Sequence, residues 1–292
     1  MRLALFDDHR LGVVTTGPDG DLVADVTDAL PWPHDPDPLT AGWWRLLCRD
    51  LDGLRDAITR EADAATPRPV SQVALRAPAL NPSKIVAAAS NYRDHVAEMH
   101  DVQERTLGRV EPWMMEFDVF LKAPSSLAGP RDSVVLPSAV LADEREVHHE
   151  SELVVVIGRG GRDIPAATAM AHVAGVTGGL DITVRSPADR SRRKSYDTFS
   201  PVGPYLTTTD EIGDGSGLDI TLTCDGRVRQ RCSTDTLITP VPAIVAHASS
   251  VMTLVPGDLL FTGAPPGVGP IAPGESLTMT VERVGSMTVR VA

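Results

Sequence analysis

No run of apolar residues in this chain approaches the roughly 18 that a membrane-spanning helix needs, so no span is expected. Cysteine is scarce: Cys48, Cys224 and Cys232 are all that 292 residues contain. An odd, low count suits a reducing compartment better than a disulfide framework. Asp225-Gly226 predicts a two-residue hairpin turn, which sets Cys224 opposite Arg227 and Cys232 opposite Asp219. Free thiols are therefore expected. Positive charge is short as well: 27 Lys and Arg stand against 39 Asp and Glu, a formal net charge of −12. That argues against a nucleic-acid or anionic-membrane partner, both of which need a basic face. It leaves an anionic substrate open, because a buried cation with a few local basic groups reverses the field inside one pocket. The opening Met1-Arg2-Leu3-Ala4-Leu5-Phe6-Asp7-Asp8 turns acidic too soon for a secretory signal, so a cytoplasmic location is expected. No internal repeat or low-complexity tract is present.

What is there is the composition of a globular protein, 42% hydrophobic and 23% charged, with length enough for a sizeable core. Residues 1–78 form a small N-terminal α+β segment in this reading. Short strand-like stretches lead into a helical pattern from Gly42 to Ala64, with apolar residues at Trp43, Leu46, Leu47, Leu51, Leu54 and Ile58 and a break expected near Gly53. Thr66-Pro67-Arg68-Pro69 reads as a linker. From residue 79 to 292 strands dominate. Helices are expected only over Asn91–His100, Pro165–His172 and Val241–Met252, with residues 101–116 showing no clear period and reading as a mobile cover or a surface insertion. The class is a strand-dominated α+β fold rather than an alternating wound sheet.

The sharpest chemistry lies in Glu150-Ser151-Glu152 followed by Leu153-Val154-Val155-Val156-Ile157. Strand residues two apart share a face, so Glu150 and Glu152 project together from the entrance of a strand bound for the core. Two ionised carboxylates side by side repel, and burial sharpens the conflict. A cation between them relieves it, and oxygen ligands favour Mg²⁺, Mn²⁺ or Ca²⁺ over zinc. Asp181 fits as a third carboxylate, closing the small-residue stretch Val173–Leu180 whose glycines permit close backbone approach. A solvated strand edge is the competing explanation of Glu-x-Glu. His148 and His149 next door read as surface or supporting groups rather than ligands.

Several segments resemble the fumarylacetoacetate hydrolase family. Asn91-Tyr92-Arg93-Asp94-His95-Val96-Ala97-Glu98 is similar to its N-Y-x-x-H-x-x-E motif, and Phe120-Leu121-Lys122-Ala123-Pro124-Ser125 to its F-x-K-P-x-S segment. His149-Glu150-Ser151-Glu152-Leu153 resembles the E-x-E-L strand, Leu180-Asp181-Ile182-Thr183-Val184-Arg185 the D-x-T-x-R segment, and Lys194-Ser195-Tyr196-Asp197 the K-S-[FY]-D segment. Pro256-Gly257-Asp258, then Thr262-Gly263-Ala264-Pro265-Pro266-Gly267-Val268-Gly269, resembles P-G-D and T-G-T-P-x-G-V-G. The six occur in family order across about residues 84–292.

The resemblance implies a strongly twisted mixed β-roll or sandwich with peripheral helices, usually as a homodimer. It implies an Mg²⁺ or Mn²⁺ site at Glu150, Glu152 and Asp181, and a small 2-oxo acid as substrate. Lys194 is implied beside the developing negative charge; otherwise it belongs to an exposed basic run with Arg190, Arg192 and Arg193. His95 and Glu98, three apart on a helix, are implied as a proton-transfer pair, against a plain solvated helix face. Arg185 would bind a substrate carboxylate or support the ligands, and Lys122 would pair with a ligand carboxylate from outside. The Thr262 hydroxyl and the Gly263 N–H would be offered to a substrate carboxylate, against a tight structural turn. Tyr196 would reach the pocket with its hydroxyl, against a core position.

The chain also departs from the family pattern. Ser186 stands where many members have Asp, Ala188 where they have a substrate-contacting Gln, and Arg190–Arg193 occupy the stretch that usually carries a Trp. The departures bear on specificity. C–C bond hydrolysis of an acylpyruvate-like β-diketo acid leads. Decarboxylation, isomerisation or hydration of a 2-oxo acid stays open, as does a non-catalytic metal-stabilised binding protein.

Overall fold

The run Leu153–Ile157 is apolar at every position because its strand, Ser151–Ile157, is buried on both faces. The computed structural model describes residues 1–110 and 112–292; the expected 101–116 segment therefore includes one position, Glu111, outside the described residues. Leu153, Val155 and Ile157 enter one hydrophobic cluster, and Val154 and Val156 enter another on the opposite side. Alternation along one strand thus joins two cores.

That strand lies inside a large mixed sheet. From one side the main strands run Gly20–Asp25, Arg10–Gly17, Arg2–Phe6, Ser200–Thr208, Val173–Leu180, Ser151–Ile157, Leu259–Phe261, Ile85–Ala89 and Asp118–Lys122. Leu259–Phe261 pairs parallel to Ile85–Ala89, while Ser151–Ile157 pairs antiparallel to both its neighbours. A four-stranded antiparallel sheet, in the order Arg227–Ser233, Asp219–Cys224, Ser276–Val281 and Gly285–Arg290, covers one face through Ile220, Leu222, Leu277 and Met279. The helix Trp43–Ala64 covers the other with Trp44, Leu47, Leu51 and Ile58. A third, three-stranded sheet joins Thr183–Val184, Val147–His149 and Gly269–Pro270 beside the ligand strand. The chain is a strand-dominated α+β protein, with the N-terminal strand Arg2–Phe6 hydrogen-bonded directly to Ser200–Thr208.

Several local expectations change. The helix Trp43–Ala64 runs unbroken through Gly53, which is exposed with open space where a Cβ would stand. A solvent-facing glycine weakens a helix by about 1 kcal/mol, too little to break one anchored by two tryptophans. The helix expected to end at His100 continues to Leu107, where Gly108 takes the left-handed cap conformation. The helix expected over Pro165–His172 is a 3-10 helix, Ala166–His172. Asp225 and Gly226 both have positive φ, the geometry of the expected hairpin turn, and Cys224 does face Arg227. A bulge between Leu222 and Thr223 moves Cys232 opposite Ile220 instead of Asp219, and the three cysteines are free. No helix among the described residues is long and apolar enough to cross a membrane.

The glycines of Val173–Leu180 let neighbouring backbone close in. A Cβ on Gly175 would collide with the carbonyl oxygen of Thr207 and lie 2.8 Å from its carbonyl carbon. Gly175→Ala is therefore expected to destabilise the fold by about 1–3 kcal/mol, because the obstacle is the Thr207 backbone, which cannot swing aside as the end of a side chain can. A urea midpoint lowered with unchanged slope checks this; an unmoved midpoint would contradict it.

Candidate active site

The carboxylates come together because two antiparallel neighbours end at the same place. Glu152 pairs with Gly179 and Ser151 with Leu180, and the Asp181 amide donates to the Glu150 carbonyl at 2.8 Å. Glu150, Glu152 and Asp181 are 4%, 1% and 1% exposed, so the solvated-edge reading is excluded. Each offers an oxygen lying within 4.8 Å of one offered by the other two.

Three buried cations surround them. Lys194 Nζ, delivered by the short helix Arg190–Lys194, lies 2.6 Å from Glu150 Oε2 and 2.5 Å from Asp181 Oδ2. Lys122 Nζ, at the end of its strand, donates to Asp181 Oδ1 at 2.6 Å and to the Phe199 carbonyl at 2.8 Å. Arg185 donates to Glu150 Oε1 at 2.7 Å. Burial opposes the charge on Glu150, yet Lys194 and Arg185 hold its carboxyl well below the usual range. Glu152 goes the other way: burial, then the charge of Asp181, pushes it well above the usual range. Its hydrogen-bond partner is the Gly263 amide at 2.6 Å. Burial lowers the Lys122 ammonium pKa, against the pull of Asp181.

This donor set fits a hard divalent cation. Three buried carboxylates converge, an ammonium already bridges two of them, and the third has no ionic partner among the described residues. An oxygen-only set of this kind is what Mg²⁺ and Mn²⁺ take.

The helix Arg93–Leu107 brings His95 to the same cavity. His95 is buried, with Nδ1 3.2 Å from Glu98 Oε2. A carboxylate only accepts, so Nδ1 carries the hydrogen and a neutral ring keeps its lone pair on Nε2. Glu98 in turn accepts the Gly267 amide at 3.0 and 3.1 Å. Gly267 has φ +92, and a Cβ there would strike the Arg229 carbonyl, so glycine alone fits this anchor. The expected His–Glu pair is thus built, and it is tied to the Gly/Pro loop.

His95, Glu150, Glu152, Asp181, Arg185 and Lys194 line one cavity of about 50 Å³, together with Phe120, Arg190 and Arg193. That is room for water molecules. Other expected residues stand elsewhere. The Thr262 hydroxyl donates to the Leu153 carbonyl at 3.0 Å and is fully buried, which ties the loop to the ligand strand rather than presenting it to a ligand. The Gly263 amide is given to Glu152 rather than to the open cavity. Tyr196 packs beside Phe199 and lines a second cavity of about 400 Å³, bounded also by Ser186, Ala188, Arg145 and Arg193. His148 and His149, read from sequence as surface or supporting groups, are buried. They face Glu146 and Gln230, and do not join the carboxylates.

Two contributors were not legible beforehand. Gln230, buried on a hairpin strand, accepts the Ser151 amide at 2.9 Å and donates to the Pro265 carbonyl at 2.8 Å, bracing the ligand strand against the loop. Nothing in Arg229-Gln230-Arg231 signals this. Arg193 looked like one more member of an exposed basic run, yet it is buried.

With this geometry in hand, the likeness to known proteins is direct. The Fumarylacetoacetate (FAA) hydrolase C-terminal family matches residues 84–292. The chain is 38% identical over 294 residues to a maleylpyruvate hydrolase of Aquipseudomonas alcaligenes, covering 100% of this chain and 99% of that protein. It superposes with a TM-score of 0.85 and 39% identity on maleylpyruvate hydrolase from Sphingobium sp. SYK-6 in complex with manganese(II) and pyruvate, covering 100% of this chain and 99% of that one. A mitochondrial oxaloacetate tautomerase of Rattus norvegicus is 37% identical over 207 residues, 69% of this chain and 61% of its own length. The chain belongs to the fumarylacetoacetate hydrolase family, whose members are metal-dependent enzymes.

Proposed function

We propose that this member of the fumarylacetoacetate hydrolase family hydrolyses the C–C bond of an acylpyruvate-like β-diketo acid, releasing pyruvate and a carboxylic acid. The observation that carries this reading is the convergence of three buried carboxylates and a carboxylate-paired imidazole on one cavity. The likeness to two maleylpyruvate hydrolases over their full lengths supports it.

Glu150, Glu152 and Asp181 would hold a divalent cation, Mn²⁺ or Mg²⁺. When bound, the cation supplies Lewis-acid stabilisation of negative charge on the 2-oxo acid. Everything else falls to the chain's own groups. Glu98 holds the Nδ1–H of His95, leaving Nε2 to take a proton from water as the water oxygen attacks the distal carbonyl carbon. The C–C bond then breaks, the pyruvyl fragment leaves with the electron pair, and it takes a proton at carbon to become pyruvate. Lys194 and Arg185 keep positive charge beside the fragment while that pair is exposed. Lys122 holds Asp181 from behind, so that its outer oxygen stays aimed into the cavity.

The test is a panel of acylpyruvates offered to the purified protein with Mn²⁺ or Mg²⁺, following pyruvate release. Turnover that disappears with EDTA and returns with added metal is expected. No pyruvate from any acylpyruvate sinks the reading. Enol–keto exchange of oxaloacetate belongs in the panel, because a tautomerase relative is present and His95 suffices to move one proton. The reading extends to a homodimer in the cytoplasm, with residues 1–78 as a small N-terminal domain and 79–292 as the catalytic one. Sedimentation and limited proteolysis near residue 78 test those parts.

A further inference from the structure

Arg193 is 6% exposed. Its Nε hydrogen finds no acceptor, and one terminal nitrogen only grazes the Ser186 carbonyl at 3.5 Å. The other buried cations of this region each hold a carboxylate: Lys122 has Asp181, Arg185 has Glu150, and Lys194 has both. Among the described residues Arg193 has no such partner. Burial, then the like charge of Arg185, lowers it to about 10, which still leaves it charged at neutral pH. A buried guanidinium without an anion is costly, and a planar fork with open donors is suited to a carboxylate.

Its position says which carboxylate. Arg193 lines both the cavity over Glu150, Glu152 and Asp181 and the adjoining cavity of about 400 Å³. The short side chains of Ser186 and Ala188 form part of the second cavity's wall; Arg145 there is paired with Asp143 at 3.2 Å, which leaves Arg192 and Arg193 to give the wall its positive charge. A substrate whose 2-oxo acid end is gripped at the carboxylate cluster would extend its acyl chain towards this boundary.

Resting on the acylpyruvate reading, we propose that Arg193 is a specificity-determining residue that binds the far carboxylate of a dicarboxylic acylpyruvate. The enzyme then selects acylpyruvates with a charged distal end over those with an apolar one.

Two substrates test this: maleylpyruvate, and cis-2-butenoylpyruvate, which carries a methyl group in place of the distal carboxylate. The wild type is expected to favour maleylpyruvate in kcat/KM by about 10- to 100-fold, the worth of one charged hydrogen-bonded pair. Arg193→Gln should erase that preference, mainly through a higher KM for maleylpyruvate, so that kcat/KM falls about 10- to 100-fold further for maleylpyruvate than for the butenoyl substrate, and Arg193→Lys should restore part of the difference. A merely structural arginine would lower both substrates together, and that result overturns the proposal, as does an unchanged preference. Ala188→Glu is an independent variant: a carboxylate planted in the same cavity should depress maleylpyruvate turnover selectively, and equal effects on both substrates overturn the proposal. A wild type that cleaves both substrates equally well defeats this inference alone. A wild type that cleaves neither defeats the acylpyruvate reading with it.

Discussion

Glu152→Gln is expected to remove cation binding and to lower turnover on the order of 10³-fold or more, roughly 4 kcal/mol of lost transition-state stabilisation. The substitution is close to isosteric, and the new amide oxygen can still accept the Gly263 N–H that Glu152 now takes at 2.6 Å. What disappears is one negative charge from a set of three. In the metal-free protein that charge is a liability, since burial and Asp181 both oppose it. The metal-free variant should therefore unfold no earlier than the wild type, which separates loss of the cation from loss of the fold. Thermal denaturation with and without Mn²⁺ reads the difference directly. Saturating the wild type at a hundred times its dissociation constant stabilises it by about 2.7 kcal/mol, and the variant should show no such shift. A variant that keeps the Mn²⁺-induced shift, or that keeps turning over, removes Glu152 from the ligand set.

His95→Gln should lower kcat by about 10²- to 10⁴-fold while leaving Mn²⁺ binding intact. The imidazole lines the cavity but is not one of the three converging carboxylates, so its loss strikes proton transfer and not the cation. Glu98→Gln should give a smaller loss, because an amide can still accept from Nδ1 but no longer favours the charged ring. It should also loosen the loop, since the Gly267 amide bonds to the same carboxylate. The decisive comparison is the pre-steady-state rate of pyruvate formation at saturating substrate. A His95→Gln rate within about threefold of wild type would assign the proton transfer elsewhere.

Much of this centre was readable in one dimension because its signals are local. Alternation along a strand put Glu150 and Glu152 on one side, and the apolar run after them announced a strand bound for the core. Spacing of three on a helix made His95 and Glu98 neighbours. The ordered segments from Asn91 to Gly269 carried the family, and with it the fold. Each of these depends on residues close in the chain, where backbone geometry alone dictates which side chains meet.

Tertiary structure alone decided the partners. Lys122 meets Asp181 across 59 positions and Lys194 meets Glu150 across 44, and no periodicity encodes either distance. The same holds for Gln230 bracing Ser151 across 79. Arg193 shows the limit most plainly: within a run of arginines it is indistinguishable from its neighbours, and only packing makes it the buried one with open donors. Thr262 and Tyr196 carry polar tips suited to a substrate, yet backbone and cavity geometry turn the first onto Leu153 and the second into the adjoining space. Residue type sets what a side chain is able to do, but where its polar atoms end up depends on strands and loops that meet only when the chain has folded.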